Sequence, residues 1–140
     1  MSFIKRFFPI LVVIAFMTFF TFQSTEATMK VSDGVQIFVK SIYSGVPARW
    51  NYDKHWVRSL LHIPLYFVLG SVVCATLHHA RKSLVICTIV AIADETIKIF
   101  LPTREFEGRD IAIDAIGFVI GIGIVSLING IIELSKRQVE

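Results

Sequence analysis

The chain has 140 residues, of which 54% are hydrophobic and 18% charged, with a mean hydropathy of +0.68. These values lie outside the range of soluble domains and fit one compact helical membrane domain over residues 1–140. The formal charge of +3 is modest and the basic residues are scattered, which excludes the clustered basic face of a nucleic-acid binder and suits an anionic membrane surface or an anionic substrate.

Behind Lys5 and Arg6, residues 7–22 are almost entirely apolar. This stretch reads either as a signal peptide or as a retained first span. Thr25-Glu26-Ala27 makes a poor cleavage site because of its acidic residue, and the rest of the chain is itself membranous, so a retained span is expected. Val31, Val35, Phe38 and Ile42 then recur on one helical stripe. With Asp33 and Gln36 as a capping pair and Ser44-Gly45 and Pro47 as a stop, an amphipathic helix is predicted over about 33–43, lying in the headgroup region. Packing of that helix against the bundle is the alternative.

Three further apolar segments follow, at about 56–77, 84–101 and 111–132. Their lengths match the ~20 residues needed to cross ~30 Å of hydrocarbon. The expected fold is therefore all-α, a bundle of four transmembrane helices plus one outer interfacial amphipathic helix. Cys74 and Cys87 fall inside apolar segments and read as small buried side chains. The N-terminal tail, the loop 78–83 and the tail after Glu133 carry six Lys or Arg in short segments, against eight spread over the other side. Charge density in short flanks governs orientation, so both termini are expected in the cytoplasm.

Charges inside such segments are candidate functional residues, because an ionised group at bilayer centre costs roughly 2.5–3.5 kcal/mol on insertion scales. The chain holds His62 and Tyr66 in the second span, Asp94, Glu95 and Lys98 in the third, Arg104 and Arg109 in the following loop, and Asp110 and Asp114 opening the fourth. Counting helical rise places all of them in the outer half of the membrane. Asp110, Asp114, Gly117 and Gly121 share one face, so the glycines allow close packing beneath the carboxylates. Asp94 and Glu95 point about 100° apart and are expected to serve different partners, Asp94 pairing with Lys98 or His62 and Glu95 reaching the basic loop.

His62 reads as a general base oriented by Asp94 or Asp114, or as a satisfied hydrogen-bonding residue in a helix contact. Tyr66 reads as a structural hydrogen bond, and Arg104 and Arg109 suit a phosphate or carboxylate. His62, Asp94 and Asp114 are the catalytic candidates, and Lys98, Arg104, Arg109, Glu95, Asp110 and Tyr66 the ligand-binding ones. The competing account makes the same charges an ion-pair network that locks the helices. No cofactor is expected, and neither is a metal, since no His-x-x-x-His or Cys-His spacing occurs. Ser59, one turn from His62, is a poor nucleophile candidate.

His62-x-x-x-Tyr66, Asp94-Glu95-x-x-Lys98-x-Phe100-x-Pro102-x-Arg104 and Asp110-x-x-x-Asp114-x-x-Gly117-x-x-x-Gly121 together resemble the VanZ-like family of small bacterial membrane proteins, named for a teicoplanin-resistance protein. The similarity covers roughly residues 55 to 125. Lys98 stands where the family usually has Gln, Leu65 replaces a frequent Glu, and Arg58 takes the place of an upstream basic residue. The resemblance implies a bacterial cell-envelope membrane protein linked to glycopeptide resistance. Two functions follow as expectations. One is binding or processing of an anionic, lipid-linked cell-wall or polysaccharide intermediate among the membrane lipids. The other is a non-catalytic scaffold or subunit with a membrane-protein partner. Ion conduction ranks last, because no polar path crosses the inner half.

Overall fold

The computed structural model describes residues 3–21, 25–42, 59–102 and 106–138. Among these it forms helices α1 (Phe3–Thr21), α2 (Thr25–Ile42), α3 (His62–Leu77), α4 (Ala80–Lys98) and α5 (Gly108–Arg137). α3 and α5 share the most extensive contact, α4 packs against both, and α1 lies mainly on α3; α2 makes no comparable contact with the other described helices.

The α3–α5 seam is close because small residues line it. A Cβ added to Gly117 would meet the Ile63 carbonyl oxygen at 2.6 Å, and one on Gly70 would meet that of Phe118 at 2.5 Å. Backbones at that distance gain dispersion contacts that larger side chains would prevent.

α3 passes to α4 through His78 and His79 alone. His78 adopts the left-handed conformation at φ 55° and its N–H reaches back to the Cys74 carbonyl at 2.9 Å, closing the helix as a C-terminal cap usually does with glycine. His79 is extended, and its carbonyl accepts both the Ser83 N–H and the Ser83 hydroxyl. The two histidines alone form this tight turn.

The ends of the helices differ from the expected segments. α4 stops at Lys98, ahead of the expected 101. Pro102 disfavours helical geometry at Leu101, and the chain leaves in tight turns whose N–H groups, from Ile99 to Leu101, bond three residues back. α2 begins at Thr25 and runs through Asp33, because nothing in 25–32 breaks a helix; the expected Asp33 start is therefore corrected. The expected stop at 44–47 lies outside the described residues.

Buried and exposed residues are distributed inside out. Ser59, Ser83, Glu95, Lys98, Asp110 and Asp114 are buried, while Leu11, Phe16, Val85, Ile89, Ile120 and Leu127 are exposed with many other large apolar side chains. A soluble fold would place these the other way round, and so broad an apolar exterior calls for a non-aqueous surrounding. Among the described residues, α5 is long and apolar enough to cross a membrane, with a mean hydropathy of 2.5 over its best window; Phe7–Phe19 and His62–Leu77 are shorter apolar helices.

Candidate functional site

His62 opens α3, Lys98 closes α4 and Asp110 lies in the first turn of α5, so all three mark the end of the bundle away from the His78–His79 turn. The positions of Lys98 and Asp110 are electrostatically apt, since a helix N-terminus favours an anion and a C-terminus a cation. Asp114 lies one turn further along α5 and is completely buried, with its Oδ1 2.9 Å from Nδ1 of His62. The His62 ring stacks on Tyr66 at 6.2 Å, and Tyr66 in turn meets Phe118 at 6.5 Å.

Lys98 organises the other half of the cluster. Its ammonium donates a hydrogen bond to Glu95 Oε1 and lies 3.9 Å from Asp94 and 3.6 Å from Asp110. Asp94 pairs with Lys98 as expected. The divergence of Asp94 and Glu95 does not separate their partners, however, because the four-carbon stem of Lys98 spans both directions. The second oxygen of Glu95 accepts the Glu107 backbone N–H at 3.2 Å, which ties α4 to the start of α5.

Arg109 is half-exposed at the rim and pairs with Glu107 at 3.1 Å. Arg104 and Arg58 lie outside the described residues. Asp110, Asp114, Gly117 and Gly121 are all buried, so their common face is the one turned into the bundle. Ser59 enters the cluster in a way its sequence did not indicate: its hydroxyl donates to Asp110 Oδ1 at 2.8 Å. The available signal was its place one turn before His62 on the same face. Two buried side-chain atoms, Asp114 Oδ2 and Tyr66 Oη, have no hydrogen-bond partner among the described residues.

Among the described residues, one lysine and one histidine thus meet four carboxylates at one end of the helical bundle. Such a site can transfer protons through the His62–Asp114 pair and can hold a charged group against a low-dielectric wall. An all-helical membrane protein with a buried polar centre is the class these features define. The chain belongs to the VanZ/LLP1 family, whose model matches residues 7–129. No curated protein and no solved structure matches it.

Proposed function

We propose that the protein is a single-domain, four-span membrane protein of the bacterial cell envelope, with both termini cytoplasmic. In this reading it binds or processes an anionic lipid-linked cell-wall or polysaccharide intermediate at a polar pocket in the outer leaflet, a role that would connect it to glycopeptide (teicoplanin) resistance. The observation that carries the reading is the His62–Asp114 pair, buried beside Asp94, Glu95, Lys98 and Asp110 under a rim that bears Arg109. Arg104 and Arg109 hold the head group. His62, Asp94 and Asp114 move or gate a proton. Glu95, Lys98, Asp110 and Tyr66 shape the pocket floor.

The hold of Lys98 on carboxylates from both α4 and α5 favours a second reading, a scaffold or partner subunit whose charges lock the bundle. Removing one member of such a network is expected to destabilise the whole fold, whereas a chemical site tolerates an isosteric change and loses only its activity. Asp114→Asn separates the two: unchanged abundance and melting temperature with loss of resistance supports the ligand site, and loss of the protein itself supports the lock. The direct test purifies wild type and Arg104→Ala in native lipid particles and identifies bound lipids by mass spectrometry. A polyprenyl phosphate or its glycosylated form, retained by wild type and lost by the variant, supports ligand binding; bulk phospholipid alone in both samples overturns it.

A further inference from the structure

His62 on α3, Glu95 on α4 and Asp114 on α5 each offer one donor atom, and the three atoms lie within 4.8 Å of one another. Glu95 and Asp114 are fully buried. Donors on one tetrahedral ion with bonds of about 2.0–2.2 Å lie roughly 3.3–3.6 Å apart, so side-chain rotations of about an ångström would bring all three onto a common centre. The His62–Asp114 edge is already shorter than that, at 2.9 Å.

An ion-pair network by itself leaves one thing unexplained. Asp114 Oδ2 has no hydrogen-bond partner among the described residues although its side chain is completely buried. Tyr66 Oη, equally buried, lies near the same carboxylate without a well-formed hydrogen bond to it, its phenol being within reach of Asp114, Asp94 and Glu95. A divalent cation would give the buried Asp114 carboxylate the partner it lacks.

We propose that His62, Glu95 and Asp114 form a binding site for one divalent transition-metal ion. One imidazole nitrogen with two carboxylate oxygens suits Zn²⁺ or Mn²⁺ better than Mg²⁺ or Ca²⁺, which take oxygen donors. Lys98 keeps Asp94 and Asp110 as partners when Glu95 turns to the ion. Three protein ligands leave a position open. An anionic head group reaching the site then meets a cation in place of a bare carboxylate cluster. The metal site holds whether or not the ligand is lipid-linked.

The test is titration of the full chain, chelator-washed in lipid nanodiscs, with ZnCl₂ and MnCl₂, followed by metal analysis and thermal unfolding. Binding of one ion per chain is expected, with a rise in melting temperature of about 5–10 °C at a hundredfold excess over Kd. His62→Gln should weaken binding by at least about tenfold, a loss of roughly 1.4 kcal/mol. A variant with the other three histidines removed (His55→Gln, His78→Gln, His79→Gln) keeps the proposal testable if His62→Gln does not fold. In that protein the Mn²⁺ pulsed-EPR spectrum should show coupling to an imidazole nitrogen, which only His62 can supply. No saturable binding of either ion, or binding without nitrogen coupling in the single-histidine protein, overturns the site. Stoichiometric metal in protein that carries only bulk phospholipid supports the metal site while removing the lipid-linked ligand, so the two readings fail separately.

Discussion

Lys98 sets the electrostatics of the cluster, because its one amine is shared by Asp94, Glu95 and Asp110 while only about 4% of the residue is exposed. Removing the charge leaves buried carboxylates facing one another, which typically costs about 3–5 kcal/mol. Lys98→Met is therefore expected to lower stability by that order in detergent unfolding, and a change under about 1 kcal/mol would mean that the pairs are effectively solvated. The Asp110–Asp114–Gly117–Gly121 face was legible because helical period alone aligns it. The shared grip of Lys98 was not, since an argument from Cβ directions ignores how far a lysine stem reaches. The convergence of His62, Glu95 and Asp114 was hidden for a different reason: each lies on its own helix, and no spacing along the chain encodes a meeting made by packing.

The helices are held by what their seams lack. Gly70→Ala and Gly117→Ala would each push a methyl group into the opposing backbone, and overpacking of this kind costs about 1–3 kcal/mol. Gly123 and Gly130, on the same helix α5 as Gly117, have nothing within 4 Å of an added Cβ. Alanine there should be neutral or stabilising by about 0.5–1 kcal/mol through helix propensity. A melting series of the four variants should split into these pairs; equal effects would mean that α3 and α5 do not pack as described. Gly117 and Gly121 were visible in the sequence as a spaced pair, whereas Gly70, their counterpart on α3, carries no local pattern. The His78 turn was equally silent, because histidine stands where glycine normally marks a helix end. His78→Gly relieves the left-handed strain at φ 55° and is expected to raise stability by about 1 kcal/mol. His78→Val should lower it, since a β-branched side chain tolerates that conformation worst.

At the scale of the whole molecule, the apolar exterior was readable from composition, and the number of crossings is what composition leaves open. α5 is about 45 Å long at 1.5 Å per residue, more than the ~30 Å hydrocarbon core, and its excess ends in the exposed Glu133–Arg137 pair and Lys136. α3, at 16 residues, reaches only about 24 Å, and α4 reaches about 28 Å with Arg81, Lys82, Asp94, Glu95 and Lys98 on it. Two such helices joined by two residues either cross and return, or dip in and come back as a re-entrant hairpin screened from lipid by the rest of the bundle. The proposed four-span arrangement requires crossing, with the polar cluster and the His78–His79 turn on opposite sides of the membrane. Cys74 and Cys87 are free and buried, so a membrane-impermeant thiol reagent should report mainly on introduced cysteines. In intact cells Phe106→Cys is expected to label from outside, while His79→Cys labels only after permeabilisation. Labelling of both from outside would make α3 and α4 a re-entrant hairpin, and would leave the polar cluster and the His78–His79 turn facing the same compartment.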